Sequence, residues 1–152
     1  MFVTEIMTED PRTVGPDDTV SEAAIVLQSL GIRHLPVVDD GGMLVGMLSD
    51  RDLGPLMKTF LDGAEADNMV VPLSARPVSD LMSGGVISVG DDASVEEVVE
   101  LMLDNRIGAV PVVDADGGLI GIVSYVDVLR AFTASSGERQ QRAGRTTRTA
   151  RE

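Results

Sequence analysis

The residues best suited to chemistry lie in two Ser-x-x-Asp motifs, Ser49–Asp52 and Ser124–Asp127, which follow apolar, β-rich runs. An aspartate carboxylate has two acceptor oxygens, which suit the two neighbouring hydroxyls of a ribose. The Ser hydroxyl and the unpaired N–H groups at a helix start suit a phosphate. A Ser with Asp three positions later is also close to a capping box, which needs no ligand. The motifs alone leave both interpretations open.

The first motif is followed by Gly54-Pro55, which complicates the expected helix start. If Ser49 were the N-cap, Pro55 would fall at the sixth helical position, delete an intrahelical hydrogen bond and clash with the preceding turn. The helix can instead begin at Pro55, because Pro is favoured at a first helical position. Asp52 would then face a cleft from a short turn. The second motif has no such conflict.

Basic residues cluster near the first motif, as Arg33-His34 before the following strand and as Arg51 within the motif. A guanidinium has a fork of donors that matches phosphate oxygens. A lone His is more often a satisfied or surface residue, and Arg51 could be a solvated charge. The matching positions 75 residues later carry no charge: Gly108, Ala109 and Val126. We therefore predict that every phosphate-binding group belongs to the first half, and that Gly108 and Ala109 leave room for a base or ribose.

Enzyme chemistry has little support in the sequence. The chain has no Cys, no cluster of metal-ligand residues and no P-loop, and a Ser–His–Asp triad would have to use its single His, His34. We predict that the protein is not an enzyme.

The charge is unevenly distributed. Residues 1–133 hold 7 basic and 23 acidic side chains, whereas residues 134–152 hold five Arg, each three positions apart, and two Glu. An acidic body repels nucleic acid and anionic membranes. The tail reads as flexible and solubilising, or as an electrostatic arm for an acidic partner or for the acidic body itself.

An internal repeat provides the elements that must position these residues. Residues 3–53 align with residues 78–128 at an offset of 75 without a gap, with identical pairs at Val14/Val89, Ile32/Ile107, Pro36/Pro111, Val37/Val112, Val38/Val113, Asp39/Asp114, Gly46/Gly121, Ser49/Ser124 and Asp52/Asp127. A repeat of this length is a supersecondary unit used twice. Two copies usually pack face to face, so the clefts between them are the natural places for a ligand.

Each half predicts the order β-α-β-β-α. A leading turn (VTEIMT or VSDLMS) precedes a brief strand at 12–14 or 87–89. The capping boxes Thr19-x-x-Glu22 and Ser94-x-x-Glu97 start the first helices. Asp/Gly turns between apolar runs then predict β-hairpins.

The closing helices are predicted from Asp50 to about Leu61 and from Tyr125 to about Ala134. The sequence thus divides into a first repeat (1–61), a linker (62–77), a second repeat (78–133) and a basic, flexible tail (134–152).

The hairpins and the steps after them, IRHLPVVDDGGMLVGMLSDRD and IGAVPVVDADGGLIGIVSYVD, resemble the CBS domain, and the tandem arrangement is similar to a Bateman module. The resemblance covers nearly everything from Val3 to Arg130. It implies an α/β (α+β) fold of two repeats with pseudo-two-fold symmetry, packed through their sheets. Such modules commonly bind adenosine-containing ligands in the two inter-repeat clefts and dimerise into a disc. In related modules a basic pair at the position of Arg33-His34 meets phosphate oxygens.

From the repeat and the resemblance we predict a regulatory module that binds AMP, ADP or ATP and signals to an unidentified partner protein. The predicted ligand-binding residues are Arg33, His34, Ser49, Arg51, Asp52, Gly108, Ala109, Ser124 and Asp127. No cofactor is required. Two alternatives stay open: a ligand-free interaction and dimerisation module, or a sensor of S-adenosylmethionine or NAD-type ligands.

The expected setting is bacterial and cytoplasmic, because the chain has no Cys and its N-terminus lacks the features of a signal peptide. We expect no membrane partner, and nucleic acid is disfavoured. A homodimer is predicted because the closing helices offer more apolar side chains than one sheet needs, namely Leu53, Leu56, Met57 and Phe60, and Val128, Leu129 and Phe132.

Overall fold

The structure is a computed structural model that describes residues 1–54 and 75–148, with side chains described up to Glu138. Within these residues, the two halves contain matching helices and hairpins in the predicted order. The first half's closing helix (55–61), residues 62–74 of the linker, and the side chains Leu56, Met57 and Phe60 lie outside the described residues.

The two capping boxes start the first helix of each half, as predicted. Helix α1 is Val20–Leu30 and helix α2 is Val95–Asn105. Thr19 Oγ1 accepts from the Glu22 N–H at 3.1 Å, and Ser94 Oγ accepts from the Glu97 N–H at 3.1 Å. Each Glu side chain accepts in return from the backbone N–H of its N-cap. The local sequence therefore satisfies the N–H groups that a helix start leaves unpaired.

Each half carries an antiparallel hairpin with the same register. Strands β2 (His34–Val38) and β3 (Leu44–Ser49) form the first, and β5 (Ala109–Val113) and β6 (Leu119–Ser124) form the second. Both hairpins have an irregularity at the matching place in the Pro-Val-Val run.

The brief strands predicted before the helices are shorter than expected. Strand β4 is Val89–Gly90, which pairs in parallel with β5. In the first half the prediction of a strand at 12–14 was wrong in extent, since Val14 alone forms a bridge to Val37.

The leading segments are exchanged between the halves. Strand β1 (Thr8–Glu9) pairs with β6 of the second half, which makes a four-stranded sheet of order β1-β6-β5-β4. In the opposite direction Ser83 bridges to Met47 in β3. Each leading segment therefore lies on the hairpin of the other half.

The exchange also completes the two hydrophobic cores. Val3 is fully buried in the core of the second half, beside Val98, and Val78 is fully buried in that of the first, beside Val20. Burying such side chains supplies much of the stabilisation of a domain. Each of the two hydrophobic cores thus contains side chains from both sequence repeats, 1–61 and 78–133.

Two glycines make room for the exchanged segments. A Cβ at Gly46 would collide with the Met82 side chain and lie 3.2 Å from the Ser83 carbonyl oxygen. A Cβ at Gly121 would meet Met7 and lie 3.1 Å from the Thr8 carbonyl oxygen. The glycine in each apolar-Gly-apolar run therefore allows a second backbone to approach the strand closely.

The second closing helix, α3, is Tyr125–Arg148, so the end predicted near Ala134 was wrong. The expected flexible tail is helical as far as Arg148. The sequence after Ala134 contains no Pro, and its Ala, Glu, Gln and Arg residues favour a helix despite two glycines. Among the described helices, none combines the length and the apolar character needed to cross a bilayer.

The first closing helix does not start at Asp50, which corrects the primary prediction. Asp50–Leu53 form a turn, and Gly54 is the first helical residue. The alternative, in which Asp52 sits in a short turn ahead of the helix, agrees with this geometry.

Candidate functional site

The halves face each other with pseudo-two-fold symmetry. At the hairpin tips the Leu44 N–H donates to Gly117 O at 3.3 Å, and the equivalent Leu119 N–H donates to Gly42 O at 3.2 Å. Near the starts of β2 and β5, a Cβ on Gly108 would lie 3.4 Å from His34 Cε1. Contact at these places leaves two clefts between the halves.

Cleft 1, of about 380 Å³, surrounds the first Ser-x-x-Asp turn. It is lined by Ser49–Asp52, Ser83–Ile87, Arg106–Ala109, Arg33, His34, Met47 and Tyr125.

Cleft 2, of about 530 Å³, surrounds the second turn. It is lined by Ser124–Asp127, Thr8, Asp10–Arg12, Leu30–His34, Ala109 and Ile122.

Each cleft combines the Ser-x-x-Asp turn of one half with the leading segment and the pre-hairpin residues of the other. This follows from the exchange, since the leading segment that crosses over becomes one wall of the opposite cleft. All nine predicted site residues line a cleft, and Arg33, His34 and Ala109 line both. The structure thus brings them together in two places.

The two aspartates hold their own turns by the same contacts. Asp52 Oδ2 accepts from the Ser49 N–H at 2.8 Å and from Ser49 Oγ at 3.1 Å. Asp127 Oδ2 accepts from the Ser124 N–H at 2.9 Å and from Ser124 Oγ at 3.1 Å. Among the described residues, these bonds use one carboxylate oxygen of each Asp. The other oxygen can accept from a ligand hydroxyl.

The turns differ in one bond. The Asp127 N–H donates to Ser124 Oγ at 3.4 Å, which gives the second half a reciprocal cap. In the first half the Asp52 N–H donates to the Ser49 carbonyl oxygen instead, at 3.1 Å.

The cationic residues in the clefts include two that sequence reasoning missed. Arg106 lines cleft 1 and is a candidate phosphate-binding group from the second half, in addition to those predicted from the first half. Arg12 lines cleft 2. Arg106 ends α2 with a left-handed φ of 54°, where the matching residue is Gly31 at 61°. An Arg at a position that favours glycine is the signal that could have identified it.

His34 has an unusual environment at the border of the two clefts. Burial lowers the pKa of His34 below its ordinary 6.5, and the nearby charges of Arg33 and Arg51 lower it further. Asp50 and Asp52 oppose this by raising the pKa. The imidazole is therefore mainly neutral at pH 7.

Four residues line both clefts and form what we call the partition: Arg33, His34, Ala109 and Tyr125. Within it, Arg33 Nη1 donates to Tyr125 Oη at 3.4 Å, across the two halves. This long bond leaves the guanidinium able to move toward a stronger acceptor.

No group of three or more His, Asp or Glu suited to a metal ion occurs among the described side chains of residues 1–54 and 75–138.

The comparison with known proteins fits this geometry. A profile of the CBS domain matches residues 3–53 and again residues 78–134. The chain belongs to the CBS domain family. Inosine-5′-monophosphate dehydrogenase of Methanocaldococcus jannaschii is 36% identical over 126 residues, which are 83% of this chain and 22% of the enzyme. The chain thus spans about a fifth of that relative.

Solved CBS pairs have the same fold. The Arabidopsis thaliana protein CBSX2, in complex with AMP, superposes with a TM-score of 0.74 at 33% identity, covering 89% of this chain and 98% of that one. The CBS pair of protein MJ0100, in complex with 5′-methylthioadenosine and S-adenosyl-L-methionine, gives 0.73 at 29% identity, with coverage of 89% and 98%.

Proposed function

We propose that this protein is a regulatory CBS pair that binds an adenosine nucleotide of the AMP, ADP or ATP type and passes the bound state to a partner protein. The observation that carries the proposal is the convergence of a Ser-x-x-Asp carboxylate with several guanidiniums in cleft 1. A carboxylate suits ribose hydroxyls, and guanidiniums suit phosphate oxygens.

The size and the walls of the clefts support a nucleoside ligand. Their volumes, about 380 and 530 Å³, lie within the range of small-molecule sites. Ile87 and Ile107 give cleft 1 an apolar wall for a base, and Ile32 and Ile122 do the same in cleft 2. CBSX2 and MJ0100, which share the fold, are both described in complex with adenosine compounds.

Thermal unfolding in the presence of AMP, ADP, ATP, NAD or S-adenosylmethionine tests this function. A ligand at 100 times its dissociation constant should stabilise the folded protein by about 2.7 kcal/mol. The double variant Asp52→Ala/Asp127→Ala is the matched control and should show a clearly smaller shift at the same ligand concentration. An unchanged melting temperature with all five ligands would reject the proposal and favour a ligand-free module.

The second candidate function, self-association, rests on exposed apolar side chains. Val128 packs against the core of the second half, but Leu129 and Phe132 on the same helix are 58% and 69% exposed. Leu103, on the contacting helix α2, is 72% exposed. Contiguous apolar surface commonly marks an interface. We infer a homodimer through this surface, which is compatible with ligand binding in the clefts.

The remaining parts of the proposal concern chemistry and setting. We propose that the module is not an enzyme and needs no cofactor, because the described clefts offer ligand-holding groups rather than a nucleophile paired with a base. We further propose that the protein has no membrane partner and no nucleic-acid partner, since residues 1–133 are strongly acidic. A cytoplasmic location in a bacterium is also part of the proposal.

A further inference from the structure

The two clefts share one strong cation. Arg33 borders both clefts, and His34, the other basic residue of the partition, is mainly neutral at pH 7. An anionic ligand in one cleft therefore takes Arg33 away from the other. The charges that belong to each cleft alone decide where an anion binds better.

Those remaining charges differ between the clefts. Cleft 1 has two cations and two carboxylates of its own: Arg51, Arg106, Asp50 and Asp52. Cleft 2 has one cation and two carboxylates: Arg12, Asp10 and Asp127. Without Arg33, cleft 1 is neutral and cleft 2 carries one negative charge. A phosphate in cleft 1 can meet up to three guanidiniums.

Cleft 2 is also the more apolar of the two at the turn. Its motif reads Ser-Tyr-Val-Asp, so Tyr125 and Val126 occupy the positions that Asp50 and Arg51 hold in cleft 1. Val126 is 37% exposed and lines cleft 2 with Leu30 and Ile32. An apolar wall beside two carboxylates suits a neutral or cationic substituent.

We propose that the clefts take different ligand classes: cleft 1 a 5′-phosphorylated adenosine, and cleft 2 an adenosine derivative whose 5′ substituent is uncharged or positive. The charges that belong to each cleft alone set the difference, and the shared Arg33 serves the phosphate in cleft 1. This rests on the proposed function, because both ligands are assumed to place a ribose against an aspartate. It adds that one chain holds one phosphorylated ligand tightly.

Calorimetric titrations of the full chain with AMP and with 5′-methylthioadenosine test the assignment. Wild type should bind about one equivalent of AMP tightly. Asp52→Ala should weaken AMP binding by roughly tenfold or more and leave 5′-methylthioadenosine binding unchanged, and Asp127→Ala should do the reverse. Arg33→Ala should weaken AMP binding by roughly ten- to a hundredfold and leave 5′-methylthioadenosine nearly unchanged, since it removes a hydrogen bond to a charged group.

A gain-of-function variant makes the test independent of damage to the fold. Val126→Arg gives cleft 2 the guanidinium that Arg51 gives cleft 1, and it should create a second tight AMP equivalent. Val126→Met, which adds length without charge, should not.

Three results would overturn the assignment. Two AMP equivalents of equal affinity in wild type, or AMP binding that is lost in Asp127→Ala but kept in Asp52→Ala, would reject the division of ligands while leaving adenosine binding intact. Failure of both ligands to bind wild type would reject the proposed function as well.

Discussion

At the scale of single residues, each motif aspartate serves its turn and its cleft at once. Oδ2 of Asp52 and of Asp127 accepts the two bonds from its own Ser, while each carboxylate borders a cleft. The cap and the ligand contact, which the sequence presents as alternatives, are therefore geometrically compatible. The carboxylate is fixed by its turn before a ligand arrives, so a ligand does not have to immobilise it.

His34 should couple nucleotide binding in cleft 1 to proton uptake. Burial lowers its pKa, assisted by Arg33 and Arg51 and opposed by Asp50 and Asp52. A phosphate bound nearby raises that pKa. At a pH between the pKa of His34 in the free protein and its pKa in the AMP complex, binding is accompanied by uptake of a proton, so AMP affinity increases as the pH falls. Calorimetry at pH 6.5 in buffers of different ionisation enthalpy measures the uptake. His34→Gln removes this contribution but keeps that of the phosphate itself.

Equal proton uptake by wild type and His34→Gln would show that His34 does not sense the ligand. In that case the imidazole is only a packing residue of the partition, against Gly108.

At the scale of elements, the exchanged leading segments connect the two halves structurally. The Val3 N–H donates to Ala93 O at 2.8 Å, and the Val78 N–H donates to Asp18 O at 2.7 Å. These matching bonds anchor each segment in front of the opposite half's helix. Each half thus depends on the other for its core and for one wall of its cleft.

Val3→Ala should loosen the second half more than the first. Val3 is fully buried beside Val98, so removing its methyl groups costs about 1–3 kcal/mol. Hydrogen exchange should become faster in α2, β5 and β6, and less so in α1, β2 and β3. The neighbouring Thr4, which is exposed, provides the control Thr4→Ala. Faster exchange concentrated in α1–β3 would contradict the exchanged arrangement.

Most helices and hairpins could be predicted from the sequence, because their starts and turns depend on local chemistry. The capping boxes fixed the starts of α1 and α2, and the Asp/Gly turns fixed the hairpins. The exchange could not be predicted, because the leading turns are alike in both halves and local propensity does not choose a partner. The end of α3 was predicted too early, because glycines lower helix propensity without terminating a helix.

The residues of the candidate site could also be predicted only in part. Aspartate, serine and the Arg33-His34 pair stood out by residue type and spacing. Arg106 and Arg12 did not, since a lone Arg at a helix end or in a short extended segment resembles a solvated charge. Their placement in the clefts depends on the packing of two distant segments, which periodicity does not encode.

At the scale of the whole molecule, the exposed side of α3 bears on assembly. Val128 faces the core, and Leu129 and Phe132 face away from it. The sequence predicted that some of the apolar side chains on the closing helices cover their own sheet, without assigning which, and the structure assigns Val128 to the core. The homodimer itself stays a prediction.

Phe132→Glu should therefore shift a dimer toward monomer, because a buried, unpaired carboxylate at an interface is unfavourable. Ala134→Glu adds the same charge two residues further along, at another exposed position of the helix, and should leave association unchanged. Sedimentation at tens of micromolar measures the outcome. Monomeric wild type, or equal effects of both variants, would contradict an interface through this side of α3.

The central claim is that Asp52 in cleft 1 receives an adenosine nucleotide, and a calorimetric titration of AMP into wild type, Asp52→Ala and Asp40→Ala tests it most directly. Asp40 is an exposed carboxylate of the first hairpin turn, outside both clefts, so its variant controls for the change in net charge. The account predicts that Asp52→Ala weakens AMP binding by roughly tenfold or more, the value of a charged hydrogen bond, and that Asp40→Ala binds as wild type does. Equal AMP affinity in all three proteins, or no binding to wild type, would contradict it.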